Sequence, residues 1–182
     1  MRKEIKLAGF GGQGIILMSV MLANAAGYYD DKEIAQTQSY GPEARGGACQ
    51  AAVVISDKEI DYIKCTNPDV FVAMSQAALD KYLSEVNLKT ATILIDDSLV
   101  TTVPDNIKTL YKVPATTIAE EECGNKMSAN TVMLGAMLKI TGLLPMDTLK
   151  STITGHLSKK FHNVNLKALD AADAYCKNKF GL

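Results

Sequence analysis

The sequence predicts an α/β fold, three-layered α/β/α around a mostly parallel, partly mixed sheet, and three observations lead there. Apolar runs of strand length recur through the first two thirds of the chain, separated by segments of helix length. The first run ends in a glycine cluster that opens onto a helical pattern. The last third carries helical patterns only. At 182 residues the chain is long enough for one such domain with a sizeable core and short for two, so a single domain over residues 1–182 is expected.

Taken in order, Ile5 to Phe10 reads as a short buried strand closed by Gly9, Gly11, Gly12 and Gly14. Ile15 to Tyr28 is apolar on nearly every face and too long for a strand, which predicts a largely buried helix. Ile34 to Gln38 fits a second strand, and Ser39 to Gly47 is a loop by its glycine and proline content. Cys49 to Ile55 is a strand; Ser56-Asp57-Lys58-Glu59 reads as a turn into a return strand at Ile60 to Lys64, the source expected for an antiparallel pair. Asp69 to Met74 is a continuous apolar strand, followed by a helix from Gln76 to about Val86. Thr92 to Ile95 is another, ending in Asp96 and Asp97, and Thr109 to Val113 repeats it, with Pro114 in the first turn of a helix. Helices are predicted over Ser128 to Thr141, Met146 to Leu157 and Asn165 to Lys177, packing on the same core.

Nineteen basic residues face twenty acidic ones, which supplies no field for nucleic acid or an anionic membrane. The longest apolar stretch, Ile15 to Ala26, is broken by Ser19 and Asn24 and is too short to span a bilayer. With no signal-peptide pattern after Met1, the expected location is cytoplasmic. Cys49, Cys65, Cys123 and Cys176 form no CxxC pair, so no zinc ribbon or ferredoxin-type cluster follows from their spacing, and free thiols are expected. His156 and His162 stand in no metal-ligand pattern and read as surface residues. No catalytic residue and no metal ligand is assigned.

Gly9-Phe10-Gly11-Gly12-Gln13-Gly14 matches G-x-G-x-x-G between a strand and a helix. Glycines allow a tight turn and close approach to a ligand, and the unpaired amides at a helix start favour an anion. A dinucleotide site also wants an acidic residue at the end of the second strand. That strand would end at Gln36, Thr37, Gln38 and Ser39; Asp30, Asp31 and Glu33 precede it and read as a solvated turn. Three uses of the loop stay open: a nicotinamide or flavin site, disfavoured by the missing acid; strand-to-helix packing alone; and a phosphate-bearing ligand or a partner's backbone. The second loop packs an aromatic ring, a proline, opposite charges and three glycines into nine residues. There Arg45 could pair with a carboxylate or phosphate through two parallel bonds, or close the loop internally on Glu43.

The two loops together, Gly9-Phe10-Gly11-Gly12-Gln13-Gly14 and Gln38-Ser39-Tyr40-Gly41-Pro42-Glu43-Ala44-Arg45-Gly46-Gly47, resemble those of the gamma subunit, or gamma domain, of the 2-oxoacid:ferredoxin oxidoreductases. Asn130-Thr131-Val132-Met133-Leu134-Gly135-Ala136 is similar to that family's later helix, and Asn165-Leu166-Lys167-Ala168 to its C-terminal one. The Tyr-Gly-Pro-Glu-Ala-Arg-Gly-Gly form looks closest to the 2-oxoglutarate type; pyruvate, 2-ketoisovalerate and indolepyruvate relatives, or a free-standing nucleotide-binding Rossmann-like protein, are the alternatives.

The resemblance implies a subunit without catalytic groups or cofactors of its own, inactive when isolated and open to dimerising or aggregating in that state. Thiamine diphosphate with Mg would sit between alpha- and beta-type partner subunits, and iron–sulfur clusters in other subunits, one of them ferredoxin-like. The assembly would convert a 2-oxoacid to its acyl-coenzyme A, passing electrons to ferredoxin. This chain would dock on the thiamine-bearing subunits and help form the coenzyme A end of the site. Candidate contacts to coenzyme A or a partner are Gly11, Gly12, Gln13, Gly14, Ser39, Tyr40, Arg45, Gly46 and Asn130, the last either capping its helix or reaching the same cleft.

Overall fold

In the computed structural model, residues 1–28, 32–39 and 47–182 are described. The strands are β1 (Arg2–Phe10), β2 (Glu33–Ser39), β3 (Ala48–Ser56), β4 (Val70–Ala73), β5 (Thr92–Asp96) and β6 (Thr109–Val113). The helices are α1 (Ile15–Gly27), α2 (Gln76–Tyr82), α3 (Ala115–Cys123), α4 (Ala129–Thr141), α5 (Met146–His156) and α6 (His162–Phe180). Among the described residues the strands form one sheet of order β2-β3-β1-β4-β5-β6. β1, β4, β5 and β6 are parallel, whereas β3 runs antiparallel to both β1 and β2.

Side-chain alternation along the strands feeds two cores. Ile5, Leu7, Val53, Val72 and Leu94 face the layer that holds α1, α3, α4, α5 and α6. Phe71, Ala73, Ile93 and Ile95 face the other layer, which is thin: α2, with Leu79 and Tyr82, and the segment carrying Val100 and Val103. The expected three layers are therefore present but unequal. Within the thick layer α4 and α6 approach closely at Gly135, where a β-carbon would lie 3.0 Å from Leu169 Cδ2 and 3.1 Å from Ala172 Cβ. Part of the Leu134-Gly135-Ala136 motif is thus a packing requirement between two helices.

The return strand expected at Ile60 to Lys64 does not form; no strand lies between β3 and β4. The reason is that both edges of β3 are already occupied, one by β1 and the other by β2. The sheet is mixed, as expected, but β3 itself supplies the antiparallel pairing. Residues 57–68 are held by side chains instead. Glu4, buried on β1, accepts the amides of Thr66 (2.7 Å) and Asn67 (2.9 Å) and pairs with Arg2 (2.8 Å). Arg2 also donates to the Tyr62 carbonyl at 2.9 Å. Two smaller departures concern helices. Pro114 stands one residue before α3 rather than in its first turn, and α1 leaves Leu17 and Val20 exposed on its outer flank. Among the described residues no helix is long and apolar enough to cross a membrane.

Burial alone would raise the Glu4 carboxyl; the bonds from the Asn67 amide, Arg2 and the Thr66 amide outweigh it and hold the group below its ordinary value. A depressed carboxylate contributes stability that is present above its unfolded value, about 4.3, and lost as pH falls through the lower folded value. We expect Glu4→Gln to cost about 1–3 kcal/mol at neutral pH. Chemical unfolding should show that cost shrinking once the pH drops below about 4.

Candidate functional site

β1 lies in the middle of the sheet, and its carboxyl end points at the crevice between the antiparallel half and the parallel half. Chain direction diverges there: α1 leads away to β2 on one side, while β4 and β5 continue on the other. Crevices of this kind, outside the carboxyl ends of parallel strands, are where open α/β sheets receive ligands. Gly11, Gly12, Gln13 and Gly14 fill the turn, with Gly12 at φ +104° and Gly14 at φ +77°.

Three latches hold the turn. The Gln13 side chain accepts the Phe10 amide (2.8 Å) and donates to the Met74 carbonyl (2.8 Å), tying the turn to the end of β4. Asn130, buried in the first turn of α4, donates from Nδ2 to the Gly14 carbonyl at 3.3 Å. Its Oδ1 accepts the Thr131 amide at 2.8 Å, so one side chain serves both its own helix and the loop. Gly14 has to be glycine twice over: its backbone is left-handed, and a β-carbon would lie 2.4 Å from Asn130 Nδ2. The third latch runs between the two loops, the Gly11 amide donating to the Gly47 carbonyl at 3.1 Å.

These bonds divide the four expected backbone donors. Gly11 is committed to Gly47, and the Gln13 amide to the Phe10 carbonyl at 3.1 Å. Among the described residues no acceptor meets the amides of Gly12 and Gly14. Asn130 reaches the loop and Gln13 braces it from within. Ser39, exposed at the end of β2, lines a different cleft of about 340 Å³ with Lys6, Gln50, Cys65 and Glu85. Tyr40, Arg45 and Gly46 lie outside the described residues, as do Glu43, Asp30 and Asp31.

Beside the glycine turn is a cleft of about 280 Å³ that the sequence did not reveal. It is lined by Phe10, Gly12 and Met74 from the turn and the end of β4, and by Leu99, Thr116, Lys126 and Met127 from later parts of the chain. Phe10, Leu99 and Met127 are exposed large apolar residues, an unusual rim for a surface with nothing to cover it. Thr116 could have been suspected from its place at the start of the helix after β6. Met127 and Lys126 carried no signal, because only tertiary folding brings them to the loop.

The geometry disfavours a dinucleotide more strongly than composition does. In that fold the strand carrying the ribose acid lies next to the first strand. Here β3 separates β2 from β1, so the end of β2 is two strand spacings, about 10 Å, from the end of β1. Three of the thiols are raised above the ordinary value. Burial, reinforced by the Glu4 charge, pushes the Cys65 thiol up to about 12; burial, with Asp173, takes Cys176 to about 11 and also raises Cys49. Among the described residues no cluster of three His, Cys, Asp or Glu side chains converges as a metal would require.

The pyruvate ferredoxin/flavodoxin oxidoreductase family model matches residues 4–175. The chain belongs to that family. It is 48% identical over 170 residues to the 2-oxoglutarate synthase subunit KorC of Methanocaldococcus jannaschii, covering 92% of this chain and 90% of the relative. To the KorC subunit of Methanothermobacter marburgensis it is 42% identical, covering 94% and 95%. A crystal structure of the gamma subunit of a keto/oxoacid ferredoxin oxidoreductase from Geobacter sulfurreducens superposes with a TM-score of 0.85 at 35% identity, covering 96% of this chain and 95% of that one. The family resemblance carried by the two glycine loops is thereby established, and the chain's relatives are subunits of oxidoreductase complexes.

Gly14→Ala should destabilise the chain by about 1–3 kcal/mol, through the left-handed backbone and the clash with Asn130. Gln13→Ala should cost about 1–3 kcal/mol by orphaning the Phe10 amide and the Met74 carbonyl. Denaturant unfolding with an unchanged m-value checks both.

Proposed function

We propose that this chain is the gamma-type subunit of a 2-oxoacid:ferredoxin oxidoreductase acting on 2-oxoglutarate, and that it holds no catalytic group. Its task is to dock on thiamine-bearing alpha- and beta-type subunits in the cytoplasm and complete the coenzyme A end of their site. Thiamine diphosphate with Mg and the iron–sulfur clusters, held by the partner subunits and a ferredoxin-like subunit, supply decarboxylation and electron transfer. Coenzyme A is the co-substrate that leaves as its acyl thioester.

The observation that carries this reading is the braced glycine turn. Two amides, on Gly12 and Gly14, meet no acceptor among the described residues, on a turn that the protein has otherwise fastened in place. Amides fixed in this way suit a phosphate oxygen, because they need not reorganise to bind it. Arg45, with Ser39, Tyr40 and Gly46 on the second loop, adds polar contacts to the phosphates or to the partner. The Gly11 amide bonds the Gly47 carbonyl, which fastens Gly47, the last residue of the second loop, to the glycine turn. The KorC-type relatives supply the choice of 2-oxoglutarate over pyruvate or branched-chain acids.

A second reading is favoured by the apolar rim of Phe10, Leu99 and Met127. On it, the loops contact only protein and coenzyme A is bound elsewhere. Titrating coenzyme A against the assembled complex separates the two. Arg45→Ala should weaken binding roughly tenfold or more, the scale of a lost charge-assisted bond. Unchanged affinity in a fully assembled mutant restricts the loops to docking. The purified chain alone should turn over no 2-oxoacid in a ferredoxin-reduction assay, and activity should appear on adding the partner subunits.

A further inference from the structure

Two helical segments with no role so far, the one from Asn130 to Ala136 on α4 and the one from Asn165 to Ala168 on α6, meet in a single contact. The Thr131 hydroxyl lies 2.5 Å from Asn165 Oδ1. One helical turn further along each helix, Gly135 faces Leu169 and Ala172. The missing β-carbon at Gly135 lets the two helices come close enough for short side chains to bond directly.

Backbone groups at both ends fix the direction of each bond. A carbonyl only accepts, so the Asn165 amide nitrogen faces the Phe161 carbonyl at 2.8 Å and leaves Oδ1 toward Thr131. That oxygen has no proton to give, and the Thr131 hydroxyl therefore donates to it. At the other end the Thr131 backbone N–H donates to Asn130 Oδ1 at 2.8 Å, which turns Asn130 Nδ2 to the Gly14 carbonyl at 3.3 Å. The same carbonyl accepts the Met18 amide at 2.9 Å, the bond that opens α1. Asn130 and Thr131 are buried, so water does not replace a bond lost between them. A continuous line of side chains thus runs from the first turn of α6, through α4, to the residue where the glycine turn becomes a helix.

We infer that Asn165, acting through Thr131 and Asn130, is a positioning residue for the glycine turn, and that the affinity of the turn for its outside ligand depends on this relay. Resting on the coenzyme A reading above, that ligand is a phosphate oxygen of coenzyme A. Gly14 has the conformational freedom of glycine, so its backbone points where its surroundings hold it. Amides held in place beforehand bind an anion without the cost of ordering them, and a slack Gly14 restores that cost. Asn165 itself does not line the cleft beside the turn.

The test compares full chains carrying Thr131→Val, Thr131→Ser or Asn165→Ala with the wild type, alone and in the assembled complex. In the chain alone, the Gly14 amide resonance should move in Thr131→Val and Asn165→Ala and return in Thr131→Ser, which keeps the hydroxyl. In the complex, the first two variants should raise the KM for coenzyme A about fivefold at unchanged kcat, the scale of one lost hydrogen bond. Thr131→Ser should restore it. Thermal unfolding reads stability separately: a lower melting temperature with an unchanged KM makes the relay a packing device only and overturns the inference. An unmoved Gly14 resonance overturns it whatever the ligand does. Thr131→Ser as impaired as Thr131→Val, or loss of assembly in place of affinity, also overturns it. A KM insensitive to Arg45→Ala as well as to the relay variants overturns the coenzyme A reading too, whereas sensitivity to Arg45→Ala alone leaves that reading standing and removes the relay.

Discussion

β1 is hydrogen-bonded along both edges, to antiparallel β3 on one side and parallel β4 on the other, and the remaining architecture follows from that double pairing. A strand so held is the most rigid part of a sheet, and what is attached to its end inherits a fixed position. Here the attachment is the glycine turn. The same pairing closes both edges of β3, denies residues 60–64 a partner, and moves β2 away from the turn. One topological choice therefore builds the platform and removes the conditions for a dinucleotide site.

On that platform the protein uses side chains from distant parts of the chain to stiffen a few residues of backbone. Gln13 links the turn to β4, Asn130 links it to α4, and Gly47 links it to the second loop. Such bracing is worth little unless the backbone is to be met by something else. Among the described residues, a braced turn whose Gly12 and Gly14 amides meet no acceptor stands beside exposed phenylalanine, leucine and methionine side chains, the composition of a surface that is covered in a complex. Burial raises the thiols at Cys49, Cys65 and Cys176, and none of these three lines the cleft.

Much of this was legible in the residues, and the parts that were not share a cause. β4, β5 and β6 are short apolar-rich runs between turn-forming and polar stretches, so their limits were readable to within a residue or two. The helices at Ser128 to Thr141 and Met146 to Leu157 were equally plain, whereas the last, expected over Asn165 to Lys177, runs three residues further at each end, His162–Phe180. Pairing order was not: nothing local in Cys49 to Ile55 says that it inserts between the first two strands, and Ile60 to Lys64 looked like a strand because free edges cannot be counted from sequence. Gln13 was read as a backbone donor, since only the fold brings Met74 within reach of its side chain. Asp96 was visible at a strand end, but its bond to Thr116 joins residues twenty positions apart across a strand and a helix start.

The central claim is that the turn after β1 is a braced surface with two amides kept for an outside group. Amide hydrogen exchange, measured by NMR on the isolated chain and on the assembled complex with coenzyme A, tests it most directly. Gly11 and Gln13 should be protected in the chain alone, whereas Gly12 and Gly14 should exchange freely there and become protected only on assembly. Gly12 and Gly14 already protected in the isolated chain, or still open in the complete complex, would contradict the account.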